Sequence, residues 1–183
     1  MAETKAALLV VDMLNRYDHP DADKLKESVR DVVPVIADMI DRARRTDTTV
    51  VYVNDNHGDW TAGRHELTAW ALEGEPSLVE PIAPPDDVPF LVKARHSAFY
   101  STQLEYLLHQ LEIEEIVLVG QVTEQCVLYT ALDAYVRHFR LTVPRDGVAH
   151  IHRDLAEAAL RMMETNMHTN VVDSGRVPEQ PAS

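Results

Sequence analysis

The chain contains one cysteine, Cys126, in a position that favours a reactive thiol. An apolar run over residues 115–119 ends at Gly120, and a helical pattern covers residues 127–136. We predict a strand that stops at Gly120 and a helix that starts near Glu124, with Cys126 in its first turn. Free backbone N–H groups and the helix dipole stabilise a thiolate there, so we expect a lowered pKa for Cys126. The alternative is a small buried hydrophobic side chain, which is a common role of free cysteine.

Two ionisable residues, Asp12 and Lys93, also follow short apolar runs. Asp12 follows residues 6–11, and Lys93 follows residues 90–92. Continuous apolar runs are typical of strands that are buried on both faces of a parallel sheet. The carboxyl ends of parallel strands share one edge, where ligand clefts form. Asp12, Lys93 and Cys126 could therefore converge although they are distant in sequence.

These three side chains have complementary chemistry. A carboxylate in a partly desolvated site can take the proton of a thiol, because desolvation raises the carboxyl pKa. An ammonium group favours the thiolate and holds the carboxylate in place. The turn before Cys126 can direct backbone N–H groups at a developing oxyanion. The alternative is that Asp12 and Lys93 form a structural ion pair at the end of the sheet.

Segments with strand and helix patterns alternate about six times along the chain, which predicts an α/β fold. The helical pattern over residues 25–43 is amphipathic and contains Pro34, which must kink the helix or mark its restart. The alternation predicts a parallel sheet with helices on both faces and right-handed crossovers. No repeat or linker divides the sequence, so we expect residues 1–183 to form a single domain. The strand patterns cover residues 6–11, 49–53, 90–92, 115–119, 139–143 and 169–172.

Composition limits the classes of partner. The 183 residues are 45% hydrophobic and 26% charged, which is typical of a globular protein with a substantial core. The net charge of −13 argues against nucleic acid or an anionic membrane as a partner. A single cysteine fits a reducing compartment, and neither a signal-peptide pattern nor an apolar run of about 20 residues is present. We therefore expect a cytoplasmic protein.

Three sequence blocks resemble the signature blocks of the isochorismatase-like cysteine hydrolases. They are VVDMLN at residues 10–15, VKARHSAF at residues 92–99 and GQVTEQCV at residues 120–127. The blocks occur in the family's order and spacing, and the resemblance runs from about Ala6 to Asp173. The superfamily includes nicotinamidases, carbamoylsarcosine amidases, ureidoacrylate amidohydrolases and lactam-opening hydrolases. The resemblance implies a Rossmann-like three-layer α/β/α sandwich with a six-stranded parallel sheet.

The same resemblance implies a catalytic triad of Asp12, Lys93 and Cys126. It also implies a cis peptide between Gln121 and Val122, with the N–H groups of Val122 and Cys126 forming the oxyanion hole. The implied reaction is hydrolysis of a C–N bond in a small amide or lactam through a thioester. In that scheme Asp12 is the base in both steps, and Lys93 stabilises the anions. The resemblance further implies a homodimer or homotetramer.

Three alternative functions agree less well with these residues. Isochorismatase-type vinyl-ether hydrolysis does not use a cysteine nucleophile, so Cys126 favours cleavage of a C–N bond. A catalytically silent member that binds a small ligand or a partner stays an alternative, although all three triad residues are present. A flavodoxin-like nucleotide-binding domain is disfavoured, because no glycine-rich phosphate loop follows the first strand pattern.

The long polar segment over residues 54–75 is a candidate lid or binding loop. From this segment and from the block that contains Lys93, we expect four residues to contact the substrate. Aromatic side chains in short loops can also be packing residues, which is the competing interpretation for three of the four. The predicted substrate-binding residues are His57, Trp60, Phe99 and Tyr100.

Asp55 and His57 fit the Asp-x-His pair with which nicotinamidases bind a metal, and His65 is a candidate third ligand. The segment between His57 and His65 differs from the nicotinamidase pattern, and the stretch with Trp60 resembles a metal-free branch of the family. We therefore expect Asp55 to cap the loop and His57 to line the pocket entrance. The prediction is that the protein uses no metal and no other cofactor.

Overall fold

The computed structural model describes residues 5–46 and 48–177, and its centre is a parallel β-sheet. The strands are β1 (Ala6–Val11), β2 (Thr49–Asp55), β3 (Phe90–Lys93), β4 (Glu115–Gln121), β5 (Arg140–Pro144), β6 (Val148–Ala149) and β7 (Asn170–Val172). In this sheet β1 lies between β2 and β4, and the order from edge to edge is β3-β2-β1-β4-β5-β7. All neighbouring strands are parallel, and β6 pairs with the end of β4.

Helices cover both faces of the sheet, so the predicted three-layer α/β/α arrangement is confirmed. The helices are α1 (Ala22–Arg45), α2 (Arg64–Leu72), α3 (Pro76–Val79), α4 (Leu104–Gln110), α5 (Leu128–Val136) and α6 (Arg153–Met167). Leu8 and Val10 of β1 lie in one core cluster with α1, whereas Leu9 and Val11 lie in another with α4, α5 and α6. This alternation follows from the two-residue period of a strand. In the described part of the chain, no helix is long and apolar enough to cross a membrane.

Helix α1 runs through Pro34 as one element, so the expected restart does not occur. Pro34 lies on the exposed side of the helix, whereas Val29, Ile36 and Ile40 are buried on the side that packs against the sheet. The apolar face therefore continues on both sides of the proline. Packing of this face outweighs the loss of one backbone hydrogen bond at Pro34.

The register of the sheet brings four strand ends to one edge. Val11 pairs with Val53 and with Gly120, and Asp55 pairs with Lys93. Gly120 has a φ angle of +124°, and a Cβ atom at this position would overlap the backbone of Val11. Glycine is therefore required where β4 passes β1, immediately beside the edge that carries the polar residues.

Candidate active site

Asp12, Lys93 and Cys126 lie together at this edge of the sheet. The Lys93 Nζ atom is 2.8 Å from Asp12 Oδ2 and 3.5 Å from Asp55 Oδ2. It also donates a long hydrogen bond of 3.8 Å to the Cys126 sulfur. The Lys93 side chain is completely buried, so two carboxylates and a thiol surround an ammonium group away from solvent. Asp55 is a fourth member of this cluster.

Asp12 is held in place through both its backbone and its side chain. Its φ angle of 56° is in the left-handed region, which aspartate tolerates better than most residues. Its N–H donates to the carbonyl oxygen of Val53 at 3.0 Å, and its Oδ1 accepts the N–H of Asp55 at 2.7 Å. With Lys93 on Oδ2, both carboxylate oxygens have a partner on the protein side.

Gln121 and Tyr17 complete the support of Asp12, a role that the sequence did not indicate for either residue. The buried Gln121 side chain donates from Nε2 to the backbone carbonyl oxygen of Asp12 at 2.7 Å. The Tyr17 hydroxyl donates to Gln121 Oε1 at 3.3 Å, and burial raises the pKa of Tyr17, so it stays a neutral donor. Gln121 follows the apolar run of β4, which is the same signal that identified Asp12 and Lys93.

Cys126 lies in a short π-helical turn, Thr123–Val127, that precedes α5. The peptide bond between Gln121 and Val122 is cis, as the family resemblance predicted. The Val122 carbonyl oxygen accepts the N–H groups of Gln125 and Val127 at 3.0 and 3.2 Å. The Thr123 hydroxyl donates to the carbonyl oxygen of Ala149 at 2.8 Å, which ties the turn to β6. These contacts fix the position of Cys126 at the end of β4.

The pKa of Cys126 is raised, and the expectation of a lowered pKa was wrong. Burial is the main cause, and the Asp12 carboxylate raises the pKa further, whereas Lys93 lowers it. Burial also raises the pKa of Asp12, and the ammonium of Lys93 limits that rise. Burial alone would lower the pKa of Lys93, but the attraction of Asp12, Cys126 and Asp55 outweighs it and raises that pKa.

These directions assign the protonation states of the resting site. Cys126 carries its proton, Asp12 is the group that can accept it, and Lys93 is the ammonium that balances the negative charge. Transfer of the proton from Cys126 to Asp12 would create a thiolate beside Lys93 without changing the total charge of the cluster. A raised carboxyl pKa makes Asp12 a stronger base for this transfer.

Asp55 and His57 do not assemble a metal site with His65. The His57 Nε2 atom is 2.9 Å from the carbonyl oxygen of Leu14, and its ring stacks on Trp70 with centroids 4.5 Å apart. Asp55 accepts the N–H of His57 at 2.8 Å, which is the expected loop cap, and its other oxygen faces Lys93. Among residues 5–46 and 48–177, no three His, Cys, Asp or Glu side chains converge so that they could hold a metal ion.

The other predicted substrate-binding residues differ in their exposure. Phe99 is buried, its ring lies 6.0 Å from that of Phe139 by centroids, and it packs with the helices of the core. The core cluster that contains Phe99 also packs against Cys126, and contact of Phe99 with a substrate stays a prediction. Trp60 is 82% exposed, and Tyr100 is 58% exposed.

His96 lies next to the candidate nucleophile, and the sequence analysis did not identify it. Its Nδ1 atom is 3.7 Å from the Cys126 sulfur, and its ring meets the ring of Tyr129 edge-on at 5.3 Å. His96 is exposed to solvent. Its position three residues after Lys93, within one of the signature-like blocks, was the signal that could have identified it.

Comparison with known proteins agrees with this fold. The isochorismatase domain family matches residues 6–175 of the chain. An uncharacterized isochorismatase family protein of Bacillus subtilis, YaaI, is 33% identical over 98% of this chain and 100% of its own length. Maleamate amidohydrolase of Pseudomonas putida is 32% identical over 85% of this chain and 78% of its own. The structure of N-carbamoylsarcosine amidase from Thermoplasma acidophilum is similar with a TM-score of 0.73 at 28% identity, covering 95% of this chain and 99% of that one. The chain belongs to the isochorismatase family.

Proposed function

We propose that the protein is a cysteine hydrolase that cleaves a C–N bond of a small amide or lactam through a thioester on Cys126. One observation carries this proposal: Lys93 Nζ lies 3.8 Å from the Cys126 sulfur and 2.8 Å from Asp12 Oδ2. A nucleophile, a base and a charge-balancing cation therefore share one largely buried cluster.

The first step forms the thioester. Asp12 takes the thiol proton of Cys126, and the sulfur attacks the amide carbonyl carbon. The backbone N–H groups of Val122 and Cys126 stabilise the oxyanion. The C–N bond then breaks, and the proton held by Asp12 moves to the leaving nitrogen, which departs as a neutral amine. Lys93 stays protonated throughout, because three anionic or polarisable partners surround it.

The second step hydrolyses the thioester. A water molecule attacks the carbonyl carbon, the C–S bond breaks, and the electron pair of that bond returns to the sulfur of Cys126. One proton of the water goes back to the sulfur, and the product leaves as a carboxylic acid. Both steps are written with residues of this chain and water alone.

The relatives support the proposed substrate class. They include a maleamate amidohydrolase, a nicotinamidase, an N-carbamoylsarcosine amidase and a streptothricin hydrolase. By their names these enzymes act on small molecules. We therefore place the substrate of this protein among small amides, ureido compounds and lactams rather than peptides.

The test is release of ammonia or amine from maleamate, nicotinamide, N-carbamoylsarcosine, ureidoacrylate and streptothricin. We expect release from at least one compound, abolished in Cys126→Ala and reduced by about 10²–10⁴-fold in Asp12→Asn. Asp31→Asn is the matched control, because Asp31 is exposed on α1, and it should leave the rate unchanged. Wild-type rates in folded Cys126→Ala would overturn the proposal.

A further inference from the structure

Helix α5 has an apolar side that faces solvent, whereas the exposed sides of α1 and α6 are rich in charged residues. On the inner side of α5, Thr130, Ala131 and Ala134 are buried. On the outer side, four apolar or aromatic residues at spacings of three and four share one face of the helix. Their exposed fractions are 42%, 47%, 38% and 56% in chain order. We call this face the α5 patch, and it consists of Tyr129, Leu132, Tyr135 and Val136.

The α5 patch carries no charge, although the chain as a whole has a net charge of −13. The one charged residue of the helix, Asp133, accepts a hydrogen bond from Arg137 at 2.6 Å. Arg137 also donates to Glu105 of α4 at 2.8 Å, so these charges are paired with one another. A helix that is apolar on all sides is typically covered on all sides. The outer side of α5 therefore fits a surface that another molecule covers.

A second copy of this chain is the occupant that charge favours. A basic partner would be attracted to the acidic remainder of the surface rather than to an uncharged helix face. Two copies of an acidic chain repel each other, and they meet at least cost where no carboxylates face one another. A two-fold axis pairs a patch with itself, and an uncharged apolar patch is complementary to itself. Tyrosine, which supplies two of the four residues, is enriched at protein interfaces.

The exposed apolar area on this face of the sheet has the size that a dimer needs. The α5 patch exposes on the order of 350 Å² of side-chain surface. The neighbouring helices add Tyr106 on α4 and Leu155 and Met162 on α6, which are 68%, 52% and 42% exposed. Together these side chains expose on the order of 700 Å², more than the largest apolar patch of a typical monomer, about 300–600 Å². A standard interface buries about 800 Å² per partner, of which about 60% is apolar.

One end of the α5 patch reaches the candidate active site. The Tyr129 ring meets the ring of His96 edge-on at 5.3 Å, and His96 Nδ1 is 3.7 Å from the Cys126 sulfur. A molecule that covers Tyr129 therefore lies beside the solvent-exposed approach to the sulfur. We propose that the α5 patch is a two-fold dimer interface through which a second copy of the chain forms one wall of the approach to Cys126.

The first experiment is sedimentation equilibrium of the wild type and of variants that place a charge in the patch. We expect a wild-type dimer of the 20.6 kDa chain. Leu132→Asp and Tyr135→Asp should raise the dimer dissociation constant by on the order of 10²-fold, because each interface would bury two unpaired carboxylates. Trp60→Asp is the matched control, because Trp60 is 82% exposed and lies between β2 and α2. It should stay dimeric, and far-UV circular dichroism should be the same for all variants.

Crosslinking tests the same face without relying on a disruptive substitution. Leu132 is central in the α5 patch, so it lies close to the two-fold axis of the proposed dimer. In the Cys126→Ala background, Leu132→Cys leaves one thiol per chain, and a short bismaleimide should join two chains through it. Asp31→Cys in the same background is the control, because Asp31 is exposed on α1 and should give no joined chains.

The wall at the active site has its own readout. Alkylation of wild-type Cys126 by iodoacetamide should slow as the protein concentration rises through the dimer dissociation constant. In Leu132→Asp the rate should not vary over the same range, which dilution alone would not explain.

Three outcomes would overturn the proposal. They are a wild-type protein that is monomeric at every concentration, a dimer that survives Leu132→Asp and is not joined through Leu132→Cys, and a wild-type alkylation rate that is independent of concentration. None of these measurements follows hydrolysis of a substrate. Failure of the interface is therefore distinct from failure of the proposed function, which the loss or persistence of amine release in Cys126→Ala decides.

Discussion

Replacing Lys93 with methionine should destabilise the protein strongly, and more at high pH than at low pH. Lys93 is completely buried between Asp12 and Asp55, at 2.8 and 3.5 Å from their carboxylate oxygens. Methionine has a similar volume but no charge, so the variant leaves a buried carboxylate without its cation. Removing one partner of a buried ion pair costs about 3–5 kcal/mol of unfolding free energy. We expect a loss in this range at pH 8.

The pH dependence follows from the carboxyl pKa of Asp12. Burial raises this pKa and Lys93 opposes the rise, so the pKa rises further in Lys93→Met. The folded variant then keeps a proton on Asp12 that the unfolded chain has released above pH of about 4. Because the folded state binds more protons, its stability falls as the pH rises from about 4 through the folded pKa. Each unit by which Lys93→Met raises the folded-state pKa of Asp12 adds about 1.4 kcal/mol of destabilisation at pH 8 relative to pH 4.

Urea unfolding of Lys93→Met and the wild type at several pH values between 5 and 8 measures this effect. Lys93 itself is charged in both states over this range, because its folded pKa is raised. The exposed Lys24, which lies 3.5 Å from Asp21, provides the control Lys24→Met, whose stability should change little at any pH. The double variant Lys93→Met/Asp55→Asn should recover part of the unfolding free energy that Lys93→Met loses at pH 8. A destabilisation of Lys93→Met that is the same at pH 5 and pH 8 would refute this reasoning.

Three further predictions concern the edge of the sheet. Gly120→Ala should lower the unfolding free energy by about 2–4 kcal/mol in urea titrations, because the new Cβ overlaps the Val11 backbone; an unchanged transition would contradict this. Gln121→Met leaves the buried carbonyl oxygen of Asp12 unpaired and should cost about 1–3 kcal/mol, with a parallel fall in activity; full stability would show that the contact is dispensable. Asp12→Asn should lower the pKa of Cys126, because the Asp12 carboxylate raises it. The alkylation rate of Cys126 with iodoacetamide should then rise at a lower pH than in the wild type. A rise at a higher pH would contradict the effect of the Asp12 carboxylate on the pKa of Cys126.

The sequence predicted most of the sheet, because buried parallel strands are continuous apolar runs. Residues 6–11 and 115–119 correspond to β1 and β4, and the polar residues after these runs mark the functional edge. The sequence did not predict β6, since two residues carry no periodic signal. It also ended β2 at Val53 rather than Asp55, because polar side chains at a strand end are hard to distinguish from a loop. As a result Asp55 was assigned to a loop cap rather than to the cluster around Lys93.

Long-range contacts explain what sequence reasoning missed at the site. Gln121 and Asp12 are 109 residues apart, and no local pattern shows that one side chain supports the other. Phe99 was predicted to contact the substrate because it lies in the block that contains Lys93, and no local pattern showed that its ring is buried in the core. The pKa of Cys126 was predicted from the free backbone N–H groups and the dipole of the expected helix. Burial and the facing carboxylate of Asp12 decide its direction, and both depend on the folded structure.

The most direct test of the central claim is a rapid-quench experiment that follows the amide of the panel that is cleaved fastest. Released amine, free acid and the mass of the peptide containing Cys126 are measured in the same quenched samples. We predict that amine and an acyl group on Cys126 appear together, up to one per chain, before the free acid. Amine and free acid appearing together with no adduct on Cys126, or amine release that persists in Cys126→Ala, would contradict the thioester mechanism.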